Sequence, residues 1–250
     1  MSRRFRAALL GLLLIPAPAP AEAERTVTRV SAAPPFETFR EDFPGRIDVR
    51  GSDAANQLAI DRVGRRGFQI TDSADRVVAG AGCSQEDDRA VLCRLRRGSW
   101  VDVRAHEGWD RVEVDIDFPG DIYVTGGPGE DRLIGGFDVL LIGGRGSDVL
   151  LGGPGADTLI GGKGADVERG GQDNDNVGGF IHPDPGRDRL FGGAGSDELD
   201  GIDGTEPDRR IDCGPPAPDL GWIDQADKRA KVIHGCEKRR RRGDLYPPGF

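Results

Sequence analysis

"GGRGSDVLLGGPGADTLIGGKGADVER", from Gly143 to Arg169, is a nine-residue unit written three times with no spacer. Each copy opens Gly-Gly-x-Gly-x-Asp. Complete units start at Gly126, Gly143, Gly152, Gly161 and Gly192, and degenerate copies fill the gaps. Gly135 opens a shortened one, GGFDVLLI. Gly170 opens GGQDNDNVG, with Asp173 in the place of the third glycine. PDPGRDRLF, Pro183–Phe191, keeps Gly186, Asp188 and Leu190 behind a four-residue insertion, Gly179–His182.

Residue types dictate what such a unit does. Paired glycines permit positive φ and a tight turn, and the third lets carbonyls point inward with no Cβ in the way. The aspartate adds a carboxylate to that turn. The residues after it alternate as a short strand with one inward apolar side chain, the candidates being Leu133, Leu150, Leu159, Val177, Leu190 and Leu199. A turn and a strand in each unit mean that two units complete one coil. Stacked coils then superpose the turns of alternate units. One column holds Asp131, Asp148, Asp166 and Asp188, and the other holds Asp157, Asp175 and Asp197. The spacing predicts an all-β fold of stacked coils, a β-solenoid.

Carboxylates stacked about 4.8 Å apart repel one another unless a cation neutralises them. Carboxylate plus backbone carbonyls is a hard, flexible, all-oxygen donor set. It suits Ca2+ better than Mg2+ or a transition metal. The inward apolar layer is one residue wide and does not offset the backbone entropy of so much glycine without the ion. The alternative is that the glycine-aspartate turns only end strands and bind nothing.

The units resemble the RTX, or haemolysin-type, calcium-binding nonapeptide repeat. The resemblance implies a parallel β-roll with Ca2+ between successive same-side turns. Carried onto this chain, it implies Asp131, Asp148, Asp157, Asp166, Asp175, Asp188 and Asp197 as ligands. Backbone oxygens of Gly127, Gly129, Gly144, Gly146, Gly153, Gly155, Gly162, Gly164, Gly193 and Gly195 would join them. Three departures stand out. Asp138 sits in the shortened unit. Glu168 occupies an inward apolar slot, so that coil edge is expected to fray or turn out. The insertion is expected to shift the stack at Asp166/Asp188 and Asp175/Asp197.

The formal charge is −9, and Gly126–Gly204 alone carries 15 acidic against 6 basic residues. The acidity therefore belongs to the repeats, which argues against nucleic acid as partner and for a cation. Glycine, at 39 residues, is about twice ordinary usage and disfavours a helical fold.

Residues 1–23 read as a signal peptide. Arg3, Arg4 and Arg6 precede the apolar run Ala7–Ile15, and PAPAPAEAE offers cleavage after Ala23, or after Ala19 or Ala21. A bilayer span needs about 18 apolar residues, so no transmembrane segment is expected once the signal is removed. The expected location is secreted, extracellular. Cys83, Cys93, Cys213 and Cys236 then read as two disulfides, with spacing favouring 83–93 and 213–236, each contributing about 3 kcal/mol. A zinc site would need closer cysteine spacing or partner histidines.

Residues 24–45 are Pro/Ala-rich and read as a flexible leader. Residues 46–125 carry short alternating runs and form an irregular β-rich region or degenerate solenoid, with Cys83–Cys93 stapling a hairpin. A separate sandwich domain is the alternative. Gly108, Asp110 and Val112, like Gly51, Asn56 and Leu58, keep repeat offsets. Residues 126–204 are the repeat roll. Residues 205–238 resemble the disulfide-closed cap that ends such rolls in exported bacterial proteins, with a short polar helix at Asp224–Val232. Residues 239–250 form a basic, Pro-Gly tail, expected to be solvated rather than held on an acidic cell surface.

No catalytic motif emerges. His106, His182 and His234 are far apart, and Ser147 and Ser196 lie in repeat turns rather than a nucleophile elbow. The leading reading is an exported, non-catalytic calcium-binding protein, with a cell-surface or polysaccharide partner unidentified. The alternative is a small secreted β-solenoid hydrolase or lyase with structural calcium, for which Trp100, Trp109 and Tyr123 are the nearest aromatic candidates.

Overall fold

The structure, a computed structural model, describes residues 27–32, 46–64, 67–79, 83–94, 100–115, 121–178, 186–202, 207–215, 218–223, 233–236 and 238–241. Every regular element among them is a β-strand. First come β1 (Val27–Ala32), β2 (Arg46–Arg50), β3 (Gln57–Val63), β4 (Gly67–Asp72) and β5 (Arg76–Ala79). β6 (Cys83–Gln85), β7 (Ala90–Arg94), β8 (Trp100–Arg104) and β9 (Arg111–Val114) follow. The repeats supply β10 (Ile122–Pro128), β11 (Arg132–Ile134), β12 (Val139–Arg145), β13 (Val149–Gly153) and β14 (Thr158–Lys163). They continue through β15 (Val167–Gln172), β16 (Asn176–Val177), β17 (Arg189–Ala194) and β18 (Glu198–Gly201). β19 (Arg210–Asp212), β20 (Leu220–Ile223), β21 (Ile233–His234) and β22 (Lys238–Arg241) complete the order.

From β8 onward the strands alternate between two parallel sheets, even numbers in the first and odd numbers in the second. β2 extends the first sheet and β3 the second, so β2 and β3 form the coil that precedes β8 and β9. This is a parallel β-solenoid. Each coil places one strand in each sheet and a turn at each edge.

Register follows the repeat. Leu133 pairs with Leu150 in the second sheet and Leu141 with Leu159 in the first, all fully buried. Leu190, Leu199 and Val177 complete the inward ladder, at most 1% exposed. Alternation forces this: period-two side chains turn every second residue of a strand toward the narrow interior.

Before the repeats, antiparallel strands close the end of the solenoid. The second sheet continues through β4, β7 and β6, and Cys83–Cys93 joins directly opposed residues of the β6–β7 hairpin. Phe68, Ile70, Val77 and Val91 fill the space beneath. An uncovered coil would offer an open pairing edge, and these hairpins remove it. At the other end, Cys213–Cys236 ties the turn after β19 to the turn after β21.

Two segments differ from expectation. Val27–Ala32, inside the expected flexible leader, pairs antiparallel with β2 and parallel with β5. Its sequence, VTRVSA, alternates β-branched and polar residues and is a strand by type. Lys238–Arg241, at the head of the expected solvated tail, runs parallel to β20 at the sheet edge. Backbone pairing accepts any sequence once an edge is offered. The expected signal peptide and the expected helix at Asp224–Val232 lie outside the described residues. No helix among the described residues is long and apolar enough to cross a membrane.

The core is split. One cluster runs from Ile47 to Leu150 and Leu159; a second gathers Val177, Leu190, Leu199, Ile211, Cys213, Ile223 and Cys236. Between them sits Glu168, paired with Leu150 on one side and Leu190 on the other, and fully buried. The expectation that this edge would fray or turn out is corrected. Glu168 stays inside because its Oε2 accepts a 3.1 Å hydrogen bond from the N–H of Gly178, which follows the two-residue strand β16. The carboxylate reaches a backbone donor that leucine could not use.

Candidate metal centre

Each edge of the roll carries a column of aspartates joined by backbone bonds. On the edge leading into the second sheet, the N–H of Asp131 donates to Asp148 Oδ1 at 2.7 Å, Asp148 to Asp166 at 2.6 Å, and Asp166 to Asp188 at 2.7 Å. On the opposite edge Asp157 donates to Asp175 at 2.9 Å and Asp175 to Asp197 at 3.0 Å. The insertion does not shift the stack. Asp166/Asp188 and Asp175/Asp197 are 22 residues apart instead of 18, and the bonds are unchanged in kind. The column bond is kept on both sides of the longer spacing, because each aspartate N–H still meets the carboxylate of the next coil.

The columns extend beyond the repeats. Asp110 donates to Asp131 Oδ1, Asp188 to Asp208 Oδ1, and Asp197 to Asp219 Oδ1. Asp208 and Asp219, both buried, escaped the sequence reading because their units have lost the opening glycine pair. The remaining signal is a spacing: Asp208 and Asp219 stand 20 and 22 residues after their counterparts. Asp138 is off the column. It is exposed with φ +54°, its Oδ1 accepts from the N–H of Ala156, and Val139 takes its place as donor to Asp157.

The backbone of the turns is as regular as the columns. A Cβ on Gly146 would overlap the carbonyl oxygen of Gly129, and one on Gly164 would overlap that of Gly146. Both glycines take positive φ, +138° and +159°. Only glycine lets successive turns approach this closely. Where glycine is missing, the replacement still takes positive φ: Asp173 at +69° and His106 at +76°. Among the site residues expected from sequence, the glycines of the second and fourth positions thus line the turns beside the aspartates.

One carboxylate oxygen of each aspartate bonds to a backbone N–H. The other is buried without a hydrogen-bond partner: Oδ2 of Asp131, Asp148, Asp157, Asp166, Asp175 and Asp197. A Cβ on Gly143 would come within 2.5 Å of both Asp148 Oδ2 and the carbonyl oxygen of Gly161, so two acceptors converge on the same point. Gly152 sees Asp157 Oδ2 and the Gly170 carbonyl in the same way. Facing acceptors with no donor between them are what a hard cation requires. Among the described residues no three His, Cys, Asp or Glu side chains converge. An ion here would be held by one or two carboxylates and otherwise by carbonyls. The donor set fits Ca2+.

Burial raises these carboxyls. Asp148, Asp157 and Asp175 are pushed up to about 7 and Asp166 to about 6, chiefly by loss of solvent, while the N–H bond to each pulls partly back. Neighbouring carboxylates add to the rise: Asp166, Asp131 and Glu130 around Asp148, Asp138 and Asp173 around Asp157. Asp131 and Asp197 are raised for the same first reason.

On the outer face of the first sheet, Trp100 and Tyr123 meet edge to face at 5.3 Å. Beside them Asp48 and Asp102 lie opposite each other, with Arg46 paired to Asp48 and Arg104 to Asp102. Trp109 is 70% exposed and stands apart on the turn before Asp110.

A search of curated proteins and of solved structures found no match. Residues 141–177 and 184–205 match the family model of the RTX calcium-binding nonapeptide repeat, in four copies, and repeats of this family bind Ca2+. The columns of paired aspartates and stacked glycine turns over this stretch are therefore RTX repeats.

Proposed function

We propose that this is an exported, non-catalytic calcium-binding protein whose roll folds on, and is stabilised by, Ca2+. The observation that carries the reading is the double row of buried Asp Oδ2 atoms facing carbonyl oxygens with no donor. We assign Asp131, Asp148, Asp157, Asp166, Asp175, Asp188 and Asp197 as ligands, with carbonyls of the second- and fourth-position turn residues. Residues 126–204 are the binding part in this reading and residues 205–238 its cap. The hydrolase alternative rests on Asp48 and Asp102 beside Trp100 and Tyr123. We place it second because Arg46 and Arg104 already neutralise both carboxylates. A shallow groove on the second sheet, lined by Arg187, Arg189, Phe191, Arg209 and Arg210, is the surface on which we look for an anionic polysaccharide.

Calorimetric titration with parallel circular dichroism decides the reading. We expect heat, an ion count above one, and a gain of β signal when millimolar Ca2+ is added to chelator-treated protein. No heat and no spectral change would overturn it.

A further inference from the structure

In the coil that precedes β8, β2 and β3 are joined by the turn Gly51–Asn56, in which asparagine holds the place of aspartate. Its backbone N–H donates to Asp110 Oδ1 at 2.6 Å, the same bond that joins every later pair in the column. Its side-chain Nδ2 sits at the centre of four oxygens. These are the carbonyls of Ser52 at 3.1 Å, Ala54 at 2.7 Å and Ala105 at 3.0 Å, and Asp110 Oδ1 at 2.9 Å. In repeat positions they are the second and fourth carbonyls of one turn and, from the next turn, the first carbonyl and the aspartate. Gly51 confirms the equivalence: a Cβ there would lie 2.8 Å from Asn56 Nδ2 and also against the Ala105 carbonyl, as Gly143 faces Asp148 Oδ2 and the Gly161 carbonyl.

In the next gap the donor is gone. Asp110 stands where Asn56 stood, is 2% exposed, and has its Oδ2 buried without a hydrogen-bond partner. Ala105 and His106 replace the glycine pair, which hides this unit, AHEGWDRVE, from the motif. Its backbone keeps the geometry even so. His106 takes φ +76°, and Cβ atoms on Gly127 and Gly129 would overlap the carbonyl oxygens of His106 and Gly108. Ala105 adds a methyl at the first position and His106 a side chain at the second, the two departures from a glycine-pair turn.

We propose that the ion row on this edge starts at Asp110. A further Ca2+ site lies between the turns of Asp110 and Asp131, held by both carboxylates and by the carbonyls of His106, Gly108 and Gly126. The Asn56 amide occupies the cation's place in the gap before it and ends the row. The proposal rests on the calcium reading of the repeats. It adds a site outside the matched segment and assigns a built-in substitute for the ion.

Ion counting by native mass spectrometry of the full chain tests it with two near-isosteric substitutions. Asn56→Asp turns the amide into a carboxylate and is expected to raise the count by one. Asp110→Asn is expected to lower it by one, and Asn56 shows that asparagine fits such a turn. Unchanged counts in both variants, with the wild type still loading calcium, would overturn this site and leave the repeats intact. A wild type that loads none would overturn both readings. If Asp110→Asn fails to fold, the count of Asn56→Asp decides alone.

Discussion

The two halves of the solenoid use the same backbone and different glue. On the edge leading into the first sheet, the position in register with Asp157 is Ile47, then Val101, Ile122 and Val139, all at most 3% exposed. From the next coil onward that position is Asp157, Asp175, Asp197 and Asp219, equally buried. The N-terminal half therefore keeps one edge apolar and ends in an antiparallel cap with its own core. The C-terminal half is acidic on both edges, and its core cluster is the smaller of the two, isolated by Glu168. Hydrophobic burial suffices where one edge contributes to it. Where neither does, counterions must.

Chelation gives the largest test of this contrast. In excess chelator, amides of Val149–Gly201 are expected to lose most of their hydrogen-exchange protection, while those of β3, β4, β7 and β8 keep theirs. Equal loss in both halves would erase the distinction. A second test turns on pH. In the ion-free fold, Asp148, Asp157 and Asp175 lie near 7 and Asp166 near 6, above an unfolded value of about 3.9. A raised folded value favours the folded state when protonated. Chelated protein should therefore be most stable below about pH 4 and lose that stability as pH rises through 6 to 7. Loaded protein should do the reverse, because Ca2+ needs the ionised form. Thermal melts at pH 4 and pH 8, with and without chelator, read both signs.

A smaller effect separates the edges themselves. Asp148 has aspartates in the coils on both sides, whereas Asp157 has Val139 on one. Asp148→Ala should remove two ions and Asp157→Ala one. At calcium one hundred times the dissociation constant each lost ion lowers stability by about 2.7 kcal/mol. Equal losses would mean that the carboxylates are not shared between gaps. The smallest expected change is Glu168→Leu. It would join the two core clusters, and the N–H of Gly178 keeps the Leu159 carbonyl at 3.1 Å. We expect chelated protein to gain about 1–3 kcal/mol, read as a higher melting temperature; a loss would show that the carboxylate, not its burial, matters most.

Period and residue type carried much of this into the sequence. Nine residues with a turn at one end allow few stackings, so the alternation of sheets, the inward leucines and the aspartate columns all follow from spacing. What stayed hidden was hidden for one physical reason. A motif tests residue names, while the turn tests φ and a free carbonyl. His106 and Asp173 satisfy the turn at a modest strain and break the motif. Asp208 and Asp219 keep the column bond without the glycine pair. Glu168 reads as an outward residue by polarity until the backbone donor at Gly178 is in view.

The column bond has a direction. Each aspartate N–H finds its acceptor on the carboxylate one coil later, never one coil earlier. A coil is thus finished by its successor, which supplies the carboxylate for the donor of the coil before it. The row is therefore polar: read from N-terminus to C-terminus, each coil brings the acceptor for a donor already placed. Cutting the chain from its C-terminal end takes away an acceptor and leaves the donor of the coil before it without one. Loss of the Asn56 turn would instead take a donor away and leave Asp110 Oδ1 without its backbone partner.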